Sequence, residues 1–160
     1  MPLMDKLDGV HRKMMLMLER LDSLVDHLDN EGVDAQSRAS AQAIRDFFAK
    51  TTRDHHAEAE TLVFPPLVRQ GDQEMVHQVQ RLQQDHGWLE EDRRELEPQL
   101  QAVAHGYSGY DLTTLRYGAG VFSTLYREHI ALEEAMVFPE AGKLMSDERG
   151  SREQRQSDNG

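Results

Sequence analysis

RDHHAEAETLVFP at residues 53–65 and REHIALEEAMVFP at residues 127–139 are two versions of one pattern, set 74 positions apart. Arg53 matches Arg127, His55 matches His129, Glu60 matches Glu134, and Val63-Phe64-Pro65 matches Val137-Phe138-Pro139. Upstream, Phe48 matches Phe122 at the same offset. Each histidine stands ten residues before its proline, about 15 Å along a helix. One half of the molecule therefore reads as a copy of the other, which is how a pseudo-twofold site arises.

Working outward, the same helical period continues through the chain. Leu3, Leu7, Val10, Met14, Met17, Leu21, Leu24 and Leu28 recur at steps of four and three, one apolar face of a helix. Asn30-Glu31-Gly32 closes it, and Asp34 caps a second helix running to Pro65-Pro66. A third starts at Gly71-Asp72 with Pro98 as an expected kink, and Asp111 caps a fourth that passes Pro139. No segment alternates with period two and the connections are short, so the expected fold is all-α, an up-down-up-down four-helix bundle. Residues 1–145 form the expected bundle, and the polar residues 146–160 an unstructured tail.

Composition narrows the function. The 160 residues include no cysteine, which excludes thiolate chemistry, and no apolar run reaches the ~20 residues of a membrane span. The start, MPLMDKLDGVHRK, lacks the apolar core of a signal peptide, so the expectation is a cytoplasmic protein. A formal net charge of −11 opposes nucleic-acid binding. What needs explaining is eight histidines beside 29 acidic residues.

In an up-down bundle, His11, His55, His86 and His129 fall at one height on four different helices. Glu133 follows His129 by four and shares its face. The repeat equivalent of Glu133 is Ala59, so helix two needs another carboxylate. The stripe Ala41, Ile44, Phe48, Thr51, His55, Ala59 and Leu62 favours His55 with Glu58; His56 with Glu60 keeps the cleaner HxxxE spacing and remains the alternative. On helix four the stripe is Leu115, Gly118, Phe122, Leu125, His129, Glu133 and Met136, with Glu134 pointing away. Glu90, four after His86, joins at the stripe's edge. Tyr126, Phe122, Phe48 and Trp88 would surround the site, and His27, His77 and His105 would lie on the surface. Several carboxylates desolvated in a core without a cation would repel one another, so the expected metal set is His11, His55, Glu58, His86, Glu90, His129 and Glu133.

At these residues the sequence resembles the hemerythrin-like, or HHE cation-binding, family: a lone early His11, the run from His55 to Glu60, the run Asp85 to Glu90, and His129 to Glu133. The resemblance spans roughly residues 5 to 145. It implies two non-haem iron ions bridged by carboxylates, and a protein that binds, senses or stores O2, NO or iron. An enzyme acting on peroxide or in repair of nitrosative damage, or an interaction protein with a vestigial site, are the alternatives. The partner would be a small diatomic ligand or peroxide. Oxygen-carrying members have HxxxH on helix three where this chain has Glu90, and Ala59 stands where a bridging Glu is expected; both argue against simple reversible oxygen carriage.

Overall fold

The computed structural model describes residues 2–147. Four long helices account for nearly all of them. Helix α1 is Pro2–Glu31 and α3 is Gln73–Ala104. Helix α2 covers residues 35–70 and α4 residues 112–147, each interrupted by π-helical turns without breaking. Each helix packs against two neighbours, α1 and α3 both lying between α2 and α4. The connections are short, so neighbours run antiparallel and the expected up-down bundle is what forms. Among the described residues no helix is long and apolar enough to cross a membrane.

The helix starts follow local chemistry. Asp34 accepts from the Ser37 amide while the Ser37 hydroxyl takes the Asp34 amide, a reciprocal cap. Asp72 and Asp111 accept from the amides of Met75 and Thr114. Pro98 lies within α3, which continues past it. The double proline was expected to end α2, yet the helix runs on to Gln70. A π turn, Ala59–Val63, precedes Pro65, and another, Glu133–Val137, precedes Pro139. A wider turn relieves the clash between a proline ring and the carbonyl four residues back. These two turns sit 74 residues apart, so the repeat extends to backbone geometry. A third π turn, Phe47–Thr51, belongs to α2 alone among the described residues.

The π turns shift the inward face by about one residue each. Thr52 rather than Thr51 is buried on α2, and Val63 rather than Leu62, which is half exposed. On α4 Val137 replaces Met136. Gly118 opens no cavity: a Cβ there would meet the Leu96 side chain at 3.0 Å, so the glycine admits the leucine.

Apolar side chains gather in two cores. One holds Met14, Leu21, Phe48, Leu89, Phe122 and Tyr126; the other Leu7, Ala59, Phe64, Leu82, Val137 and Phe138. Each helix contributes to both, with a histidine between: His11 between Leu7 and Met14, His55 between Phe48 and Ala59, His86 between Leu82 and Leu89, His129 between Tyr126 and Val137. The histidines form a polar layer between two apolar ones.

Candidate metal centre

The layer contains two groups of three donors. His11, His55 and Glu133 form one; His56, His86 and His129 form the other, and in each the donor atoms lie within 4.8 Å of one another. Glu133 stands between the groups. Its Oε1 is 3.9 Å from His11 Nε2 and 2.6 Å from His129 Nε2, and its Oε2 is 3.9 Å from His55 Nε2. The carboxylate is fully buried, and neither oxygen has an aligned hydrogen-bond partner. His86 Nε2 and His129 Nε2 are likewise buried and without a hydrogen bond. Buried polar atoms are normally satisfied, so this cluster of open lone pairs is a cradle for cations.

The outer sides of the rings are satisfied. His11 Nδ1 donates to Glu134 Oε1 at 3.1 Å, His86 Nδ1 to Glu60 Oε1 at 2.9 Å, and His129 Nδ1 to Asp85 Oδ2 at 3.1 Å. Each bond fixes a proton on Nδ1 and turns the Nε2 lone pair inward, the arrangement of metal-ligating histidines. Glu60 and Glu134 are repeat equivalents and serve equivalent rings on α3 and α1. His55 Nδ1 has no such partner. His11 Nε2 and His55 Nε2 lie 3.1 Å apart, and the His56 and His86 rings stack at 3.8 Å.

Burial dominates the electrostatics of the rings. It lowers His55 to about 4, with Glu133 opposing and the other histidines assisting. It also depresses His56, helped by His86 and His129, and His86, where Glu60 opposes it. His129 goes the other way: burial disfavours its charge, but Asp85 and Glu133 outweigh burial and raise it to about 9. Glu133 is lowered because its interaction with His129 outweighs burial. Without metal, protonated His129 is the cation paired with Glu133 at 2.6 Å.

Of the residues singled out from sequence, the structure brings together His11, His55, His86, His129 and Glu133. His56, the alternative, joins them, because the π turns on either side of Thr52–Glu58 let two consecutive histidines reach inward. Glu60, the other alternative, holds the His86 ring. Glu58 is not brought in: it faces outward to Lys6. Glu90 is engaged by Arg93, with 2.9 and 2.7 Å bonds, and by Arg94. The two groups thus contain five imidazoles and one carboxylate, where a carboxylate-rich set was expected. Trp88 is 56% exposed and does not border the site. Tyr126 does: fully buried against Phe48 and Phe122, it places its hydroxyl 3.1 Å from His56 Nε2. Burial raises the Tyr126 hydroxyl pKa, so it stays a donor.

Two orienting carboxylates escaped the sequence reading. Glu134 is half exposed and does point away, but its length returns the carboxylate to His11. Its signal was the match to Glu60. Asp85 directly precedes His86 and serves a histidine on another helix, which no spacing within one helix reveals.

This is a four-helix bundle with a candidate cation site lined by histidines and a carboxylate. The hemerythrin HHE cation binding domain matches residues 3–141, and the chain belongs to that family. No curated protein and no solved structure matches it.

Proposed function

We propose that the chain is a non-haem di-iron protein. One ion is held by His11, His55 and Glu133, the other by His56, His86 and His129, with Glu133 shared between them. The observation that carries this reading is the pair of three-donor groups meeting at one buried, unsatisfied carboxylate. Imidazole and carboxylate donors suit iron. Charge supports it too: Glu133 with Glu60, Glu134 and Asp85 supplies four negative charges, which balance two ferrous ions. Oxidation of both ions adds two positive charges that the protein's own groups leave unbalanced, so an oxidised pair calls for a small anionic or oxygen-derived ligand.

Two such ions supply one-electron redox chemistry and positions for a small exogenous ligand, of which O2, NO and peroxide are the candidates. The chain's own groups orient the imidazoles, exclude bulk water from the Glu133 side and offer the Tyr126 hydroxyl as a donor beside His56. The test is metal analysis with an optical spectrum of aerobically purified protein, then addition of NO and of peroxide. Close to two irons per chain and spectral changes with either ligand are expected. Zinc alone, or less than half an equivalent of metal after iron reconstitution, contradicts the reading.

A further inference from the structure

The two halves of the site differ in how they meet solvent. His11, His55 and Glu133 are 1%, 3% and 0% exposed, whereas His56 is partly exposed. His56 opens onto a groove of about 410 Å³ between α2 and α3, lined among others by Thr52, Arg53, Glu60, His86, Glu90 and Arg93. His86 is more than nine-tenths buried, and its unpartnered Nε2 belongs to the ring that forms the groove's inner wall. The repeat puts a counterpart of about 510 Å³ between α1 and α4, where Arg127, Ala131 and Glu134 answer Arg53, Ala57 and Glu60. There Ile130 replaces His56, and Met15 and Leu16 flank His11 on α1 where α3 offers Glu90. Its charged lining is Arg12, Arg127 and Glu134, one positive charge in excess, while in the first groove Glu60 and Glu90 balance Arg53 and Arg93.

A hydrated divalent cation sheds water only in exchange for other donors. The α1–α4 recess offers it an apolar wall and excess positive charge. The α2–α3 groove offers a carboxylate at its mouth, an imidazole within and unpartnered nitrogen at its end. We propose that the α2–α3 groove is the route by which the divalent cation is loaded: Glu90 captures it, His56 draws it inward, and the sealed Glu133 half fills through the His56 half. Arg93 occupies both oxygens of Glu90, so it acts as a brake that the cation must displace. This gives Glu90 a role outside the donor groups, and it rests on the di-iron reading above.

The test uses metal-free full-length protein and Co2+ as the probe, its uptake followed by d–d absorption in stopped flow and its final stoichiometry by metal analysis. Glu90→Lys should slow uptake by about tenfold or more, as removal of electrostatic capture does, while the final stoichiometry stays at the wild-type value. Arg93→Met should speed it. Met15→Lys, at the equivalent place on the other face, should leave the rate within about twofold of wild type, since that face lies off the route. An unchanged rate in Glu90→Lys, or equal slowing by Met15→Lys, overturns the route while leaving the metal site intact. A wild-type chain that takes up no metal overturns the di-iron reading, and the route with it.

Discussion

The half of the site around His11 and the half around His86 are built from the same repeat yet do different work. On the His11 side the ring pair is joined by Glu133 and sealed from solvent; on the His86 side three imidazoles gather and one of them reaches the surface. Two differences between the repeat copies and one between α1 and α3, aligned on His11 and His86, accompany the contrast. Ala59 stands where Glu133 stands in the other copy, Ile130 where His56 stands, and Val10 precedes His11 where Asp85 precedes His86. The copy without the carboxylate at 59 carries a histidine at 56, so both halves present three donors. A duplicated scaffold can keep its donor number while its two halves diverge in charge and access.

The largest effect should follow removal of the one group both halves share. Glu133→Ala should cost both ions, because a shared ligand does not release one ion cleanly. Loss of only one equivalent would mean that Glu133 serves a single half. Restoring symmetry should be harmful without metal: Ala59→Glu puts a carboxylate into the buried apolar cluster that also holds Phe64 and Leu82 and should destabilise the metal-free chain by about 3 kcal/mol or more. Iron should recover much of that loss in thermal melts, since the new carboxylate then has a cation. Equal destabilisation with and without iron would show that position 59 does not face the metals.

The buried rings predict opposite pH responses in the metal-free protein, His129 against His55, His56 and His86. Unfolded His55 takes a proton near its ordinary value of 6.5, but folded His55 only near 4. Between those values the unfolded state holds more protons, so acidification favours unfolding, by on the order of 3 kcal/mol from His55 alone. His56 and His86 act in the same direction. Folded His129 keeps its proton up to about 9, so its contribution is full below 6.5 and fades as pH rises to 9. The melting temperature should therefore peak near neutrality and fall more steeply on the acid side. A flat acid limb between pH 6.5 and 4 would contradict the burial of the three neutral rings.

Smaller effects should come from the outer carboxylates. Asp85→Asn should weaken the ion on the His86 side by about 10- to 100-fold, as loss of a partner behind a ligating histidine does. Val10→Asp would offer His55 Nδ1 the partner it lacks and should tighten the other ion. The smallest effect is expected at Glu58, whose exposed pairing with Lys6 is worth little: Glu58→Gln should stay within about 0.5 kcal/mol of wild type and leave iron content unchanged.

How far the sequence could be read follows from which forces are local. The caps at Asp34 and Asp111, the helix start at Gly71-Asp72 and the helical period rest on nearest-turn geometry, and all are present in the structure. The choice between His55 and His56 could not be resolved on a wheel of about 100° per residue. The π turns at Phe47–Thr51 and Ala59–Val63 break that period without any composition of their own, and both rings turn inward as a result. Pro65-Pro66 was visible in the sequence as a helix end and Pro139 as a position the fourth helix passes; in the structure Pro65 and Pro139 each follow a widened turn inside a continuing helix. Asp85 and Glu134 act across helices, and cross-helix pairs become legible only once the bundle is assembled.

If two ions occupy two differently built halves, anaerobic ferrous titration of the metal-free wild type beside His56→Ala resolves them. About two equivalents are expected to bind to the wild type and about one to His56→Ala, since the imidazole-rich half loses one of its three imidazoles while the other half keeps all of its donors. Two tightly bound equivalents in His56→Ala, or a wild type that saturates at one, would contradict this expectation.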